Sequence, residues 1–247
     1  VTVSLTIVIP IGGEAKRFAE RGYTFPKPLV EIGARSMIEI VVANVTPKEP
    51  HRFVFVCRRE HLDRFALGEV LGLVAPGSLV VPMEAPTAGA LCTVLLATEH
   101  IGRDDELMIA NGDQYVEVSI DDFLRAARGA SLDGSIMTFP STHPKWSYAR
   151  VEDGEVVAVA EKRPISREAT AGIYYFRRGG DFLDAAARMI LKDARAAGEF
   201  YVCPVYNELI LAGRKIGVFP IVREQMHSLG TPEDVELFAA ARGRDLR

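Results

Sequence analysis

The sequence predicts an α/β fold: a Rossmann-like mixed, mostly parallel sheet with helices on both faces. Short apolar, β-branched runs recur along the chain, and stretches with helical spacing of apolar positions separate them over the first 110 residues. Composition agrees, since 48% of the 247 residues are hydrophobic and 25% charged, which sets disorder aside.

The strands come first. Residues 5–10, 52–57, 78–82, 106–110, 135–139 and 215–220 are continuous apolar runs, the pattern of strands buried on both faces. Helical periodicity covers 37–44, 60–66, 88–100, 120–127, 181–194, 201–212 and 232–241. The last helix carries its own start signal, with Thr231 as N-cap, Pro232 at the first helical position, and Glu233 and Asp234 in the first turn. The second half changes character. Residues 148–152, 156–160 and 172–177 read as short strands, and Asp153-Gly154 supplies a hairpin turn between the first two. No repeat, low-complexity stretch or Pro/Ser-rich linker interrupts the chain, so a single domain over 1–247 is expected.

Charge and rare residues narrow the function. Twenty-nine basic side chains against 33 acidic ones leave a net charge of −4, which argues against a duplex nucleic-acid partner. Cys57, Cys92 and Cys203 share no metal-ligand spacing and are expected as reduced thiols in a cytoplasmic protein. The apolar run at 5–11 contains Pro10 and is too short for a secretory core or a membrane span. The five histidines form no ligand pair, and no G-x-S-x-G elbow is present. Association of the chain with copies of itself is left open.

The chemistry begins after the first strand. Gly12-Gly13-Glu14-Ala15-Lys16-Arg17 brings two glycines and two cations to a strand-to-helix turn, where backbone N–H groups can approach a phosphate. It matches neither the Rossmann nor the P-loop glycine spacing, and an ordinary turn is the competing reading. Pro26-Lys27-Pro28 then frames a lysine between two prolines, which fix the backbone on both sides.

The two motifs together resemble the sugar-phosphate nucleotidyltransferase family, whose signature is G-G-x-G-x-R followed by P-K-P. The resemblance continues with Glu84 to Ala90, similar to a base-reading loop, and with Asn111-Gly112-Asp113. It extends to Glu161-Lys162-Arg163-Pro164, Ala171-Gly172 and Leu229-Gly230-Thr231-Pro232, nearly the whole chain. The wording of 22–29 and 161–166 is similar to a branch found in capsule and surface-polysaccharide biosynthesis.

The resemblance implies transfer of NMP from a nucleoside triphosphate to a sugar 1-phosphate or similar phosphorylated small molecule, with Mg²⁺ and release of pyrophosphate; the alternative within the branch is a cytidylyltransferase for a non-sugar phosphate or phosphoramidate. It implies a nucleotide-binding half at about 1–115 and an acceptor-binding half at about 116–247. Gly12, Gly13, Glu14, Lys16, Arg17, Glu84, Gly89 and Gly112 would line the nucleotide. Arg17 would meet the leaving phosphates, Lys27 would bridge the attacking and α-phosphates, and Asp113 would hold the metal. Tyr148, Glu161, Lys162 and Gly172 would hold the acceptor, with Trp146 beside Tyr148. An ionised Glu84 can only accept hydrogen bonds, which favours CTP or GTP over UTP or dTTP.

Plainer readings stand beside these roles. Asp113 could be a turn residue, Glu84 and the Glu161-Lys162 pair could be solvated, and Trp146 with Tyr148 could be a packed aromatic pair. Tyr201 and Tyr206 are read as core residues on one apolar helix. Three positions depart from the family pattern. Ala15 stands at its second glycine, Ser228 where many relatives have a metal-binding Asp, and Ala149 at a glycine against the sugar. Two rivals follow: a non-catalytic nucleotide-sugar sensor, which Ala15 and Ser228 favour, and a glycosyltransferase of related fold. Asp113-Gln114-Tyr115 lacks the second carboxylate of the latter's D-x-D motif.

Overall fold

The computed structural model describes residues 5–242. The first half runs β1 (Leu5–Pro10), α1 (Lys16–Glu20), β2 (Glu31–Ile32), β3 (Arg35–Ser36), α2 (Met37–Val45), β4 (His51–Arg58), α3 (Arg59–Phe65), α4 (Leu67–Val74), β5 (Leu79–Met83), α5 (Ala90–Leu95), β6 (Glu106–Ala110) and β7 (Gln114–Val116). The second half continues with α6 (Ile120–Gly129), β8 (Gly134–Pro140), β9 (Tyr148–Glu152), β10 (Glu155–Ala160), β11 (Glu168–Phe176), α7 (Gly179–Leu191), α8 (Val205–Leu211), β12 (Ile216–Pro220), β13 (Met226–Ser228) and α9 (Pro232–Arg242).

β6, β1, β4 and β5 lie side by side and parallel, so the carboxyl ends of four buried strands open on the same edge. β11 runs antiparallel against β6 and closes that block. Beyond it the sheet is mixed: β11 pairs with β8 along its other edge, β8 takes β12 in parallel, and β9 with β10 forms the hairpin at the far end. The hairpin turns at Asp153 and Gly154, both at positive φ (50° and 83°), the two-residue geometry expected there.

Both sheet faces are buried, which explains why the strands read as unbroken apolar runs. Ile7, Ile9, Phe53, Phe55, Met108 and Ala110 point to one core with α2, α4, α6 and α9. Val8, Val54, Val56, Leu107 and Ile109 point to the other, with α5, α7 and α8. The alternation within each strand follows from the two-residue period of the pleat.

Several expected elements have different bounds. The helix expected over 88–100 ends at Leu95 and resumes as a 3₁₀ turn at Thr98–His100. The strand expected from 172 starts at Glu168, and the helix expected from 201 starts at Val205, after Pro204. α4 was not expected; it begins where Ala66 adopts a left-handed φ of 51° and ends α3. The small β7–β13 ribbon, Gln114–Val116 against Met226–Ser228, was also not expected, because three residues leave no period to read.

Candidate active site

The strand ends define the site. Pro10 of β1, Arg58 of β4, Met83 of β5 and Asn111 just after β6 wall a cavity of about 780 Å³. This is the edge of an open α/β sheet where ligands bind. Gly12, Gly13, Glu14, Lys16, Lys27, Gly89, Gly112, Asp113, Glu161 and Gly172 all line it.

The turn after β1 is open at Gly13, where a Cβ would meet nothing within 4 Å. Ala15 stands at φ 51° and ψ 34°, so the position resembling a family glycine does require left-handed backbone. Lys16 is paired with Glu14 at 2.8 Å, and Arg58 reaches Glu14 Oε1 at 3.4 Å while its Nε donates to the Gly12 carbonyl at 3.2 Å. The Lys16 ammonium holds the exposed Glu14 carboxyl below its ordinary range. Two cations here share one carboxylate, which leaves a net positive charge to meet an anion. Arg58 was missed by sequence reasoning. Its signal was present in a cation ending a buried strand, on the edge where ligands bind.

At the floor, Lys27 Nζ donates to Asp113 Oδ2 at 2.6 Å and to the Gly230 carbonyl at 3.4 Å. The lysine extends from a 3₁₀ turn that Pro26 enters and Pro28 continues, and its ammonium lies 5.5 Å from the centre of the Phe18 ring. Asp113 is anchored by its own backbone, whose carbonyl accepts from Leu229 N at 2.8 Å. Ser228 lines the cavity here, with Asp234 behind it: Ser228 Oγ donates to Asp234 Oδ2 at 2.8 Å. Among the described residues no group of three or more His, Cys, Asp or Glu could by itself hold a metal ion. Asp113 fits a hard cation that brings phosphate oxygens with it, and does not fit a metal caged by protein alone.

Gly172 joins floor to sheet. It sits at φ 76° where the β11–β8 register shifts, and its carbonyl accepts from Asn111 N at 2.9 Å and Gln114 Nε2 at 3.0 Å. A Cβ there would lie 2.2 Å from Gln114 Oε1. Gly89 is equally constrained, since a Cβ would lie 2.4 Å from the Phe200 carbonyl. That close approach lets Phe200 N donate to the Ala88 carbonyl and Leu91 N to the Phe200 carbonyl, joining the loop before α5 to the loop that carries Glu199 and Tyr201.

Four expected contacts are placed differently. Tyr148 does not line the cavity. It is fully buried in the core, with its hydroxyl donating to the His143 carbonyl at 2.6 Å, whereas Trp146 does line the cavity. Glu84 is exposed outside the wall and bound by Arg59 through Nη2 at 2.6 Å and Nε at 3.0 Å. Arg17 is exposed on α1, one residue beyond Lys16, and lies outside the wall. Lys162 also stands outside the wall; its ammonium donates to Tyr201 Oη at 2.5 Å.

Tyr201 corrects the reading in the opposite direction. Expected in the core, it precedes α8 and lines the cavity, donating to Glu199 Oε2 at 2.6 Å, while Tyr206 is buried as expected. Next to it, Glu161 is bonded by Ser147 Oγ, and burial pushes its carboxyl above the ordinary range.

This arrangement matches a known family over most of the chain. The Nucleotidyl transferase profile covers residues 6–202. The chain belongs to that family. Among solved structures, a nucleoside-diphosphate-sugar pyrophosphorylase of Vibrio cholerae RC9 superposes with TM-score 0.82 at 26% identity, covering 95% of this chain and 99% of that one. UDP-glucose pyrophosphorylase of Acinetobacter baumannii (TM-score 0.74, 13% identity, 98% and 94% covered) shares the fold. So does the inositol-1-phosphate CTP transferase of T. maritima (TM-score 0.73, 14% identity, 97% of each chain). No curated protein matches the chain by sequence. Among the described residues no helix is long and apolar enough to cross a membrane.

Proposed function

We propose that this nucleotidyltransferase moves a nucleoside monophosphate from a triphosphate to a sugar 1-phosphate or a similar phosphorylated small molecule. An acceptor phosphate oxygen attacks the α-phosphorus, a new P–O bond forms, the bond to the β-phosphate breaks, and pyrophosphate leaves. The observation that carries this reading is Lys27 beside Asp113 in one cavity, which the glycine turn and Glu161 also line.

In-line transfer needs charge neutralisation and positioning and no covalent nucleophile. The Gly13 amide, Lys16 and Arg58 would meet the triphosphate, with Arg17 receiving the phosphates that extend past the wall. Lys27 would leave Asp113 to bridge the attacking and α-phosphates. Asp113 would hold Mg²⁺, which when bound supplies charge neutralisation between the phosphates. Glu161 and Gly172 would seat the acceptor, with Lys162 held at the rim by Tyr201. The chain is proposed to work as one domain with a nucleotide half and an acceptor half, in the cytoplasm, in precursor synthesis for surface polysaccharides. Glu84 faces Arg59, so the base is left to be read by the walls at Pro86, Thr87 and Gly89.

The test is pyrophosphate release with CTP, GTP, UTP, ATP and dTTP against a panel of sugar 1-phosphates, with Mg²⁺. Lys27→Ala should lose at least a hundredfold in kcat, roughly the scale of an oxyanion-type donor, while triphosphate affinity changes far less. Equal turnover in that variant, or no release with any triphosphate, would overturn the reading.

A further inference from the structure

Resting on the transferase reading, we propose that the acceptor carries a cationic nitrogen, a protonated amine or a quaternary ammonium, seated between Glu161 and Glu199 against the Tyr201 and Trp146 rings. All four side chains line the cavity, as do Ser147 and Tyr174, and the Glu161 and Glu199 carboxylates are close enough to act on each other's charge.

The first support is charge. Glu161 is bonded by a neutral hydroxyl, Ser147 Oγ, and Glu199 by another, Tyr201 Oη. The two carboxylates repel each other, and the Lys162 ammonium, which attracts both, makes its hydrogen bond to Tyr201 Oη. Lys162 follows Glu161 directly in the chain, yet it is turned at φ 52° to put its ammonium on Tyr201 Oη. Two carboxylates served by one ammonium, Lys162, which is bonded to Tyr201 Oη and to neither of them, favour an incoming cation over a neutral hydroxyl, because a cation also relieves their mutual repulsion.

The second support is independent of the carboxylates. The two rings already carry ammonium groups from the protein itself. Lys162 Nζ lies 4.5 Å from the Tyr201 ring centre, and Lys145 Nζ lies 4.6 Å from that of Trp146. Aromatic faces that accept a lysine ammonium accept a ligand ammonium by the same quadrupole attraction. Lys145 is exposed and free to swing off Trp146 toward the acceptor's phosphate.

Matched ligand pairs separate the charge from the shape. Calorimetric titration of the full chain would compare glucosamine 1-phosphate with glucose 1-phosphate, and phosphocholine with its carbon isostere 3,3-dimethylbutyl phosphate. The inference expects the cationic member of at least one pair to bind tenfold or more tighter, the glucosamine pair reporting a primary amine and the phosphocholine pair a quaternary one. That margin should collapse below threefold in Glu161→Gln. It should also shrink in Glu199→Gln, an exposed position whose exchange leaves packing intact. Equal binding within both pairs, or binding of none of the four while a triphosphate with Mg²⁺ still binds, overturns the inference and leaves the transferase reading standing. Absence of triphosphate binding as well overturns both.

Discussion

Ala15 shows how much one residue can report. A left-handed backbone costs an alanine about 1–2 kcal/mol, and glycine recovers most of this after its own greater chain entropy. Ala15→Gly should therefore stabilise the chain by about 0.5–1 kcal/mol, raising the melting temperature by roughly 1–4 °C in a thermal scan. Unchanged or lower stability would mean the turn relaxes around the methyl group. Glu14 gives a second prediction. Its carboxylate occupies both Lys16 and Arg58, standing where a phosphate would. Glu14→Gln should tighten triphosphate binding severalfold at low ionic strength, an advantage that shrinks as salt screens the freed cations; weaker binding would count against the assigned triphosphate path. At this scale the sequence was informative but incomplete. The framing of Lys27 by prolines was legible, and so was the oddity of Ala15. The placement of Tyr148 and Trp146 was not, because two aromatics two positions apart share a face only while the chain is extended. Trp146 precedes the strand that Tyr148 begins.

Among the elements, α2 offers the sharpest test. Ser36 Oγ accepts from Glu39 N at 3.4 Å, while Glu39 Oε2 accepts from Ser36 N at 2.6 Å, a reciprocal cap. Ser36→Ala should cost about 1 kcal/mol of stability. The backbone N–H of Ser36 holds the Glu39 carboxyl below its ordinary value. Its contribution is therefore fully present above the unfolded carboxylate value of about 4.3, and is lost as pH falls through the lower folded value. The stability gap between wild type and Glu39→Gln should narrow on acidification, as urea titrations at pH 7 and pH 3 would show; a constant gap would remove the carboxylate from the account. The parallel strands were legible because burial on both faces leaves them uniformly apolar. The helix start at Val205 was missed because periodicity ran smoothly backward through Pro204, hiding the loop that turns Tyr201 into the cavity. Short pairings such as β7 with β13 carry no period, so only the folded chain reveals them.

For the whole molecule, the cleft walls come from both halves of the chain, and a ligand filling it should stabilise them together. Triphosphate with Mg²⁺ at about a hundred times its dissociation constant should add roughly 2.7 kcal/mol, or about 5–10 °C in melting temperature. A shift without Mg²⁺ equal to that with it would argue against Asp113 as the metal's residue. The loops at Ala88–Leu91 and Phe200 are stitched backbone to backbone, which ties these two parts of the cleft wall to each other. The β7–β13 ribbon has a consequence for biosynthesis. The turn bearing Asp113 is braced by Leu229, and beside it His227 reaches Glu117 from 110 positions away in sequence. During synthesis the glycine turn, Lys27 and Asp113 all leave the ribosome long before their brace exists. A growing chain therefore holds the glycine turn, Lys27 and Asp113 in an unbraced form, and the cleft is completed only when its late residues fold back onto its early ones.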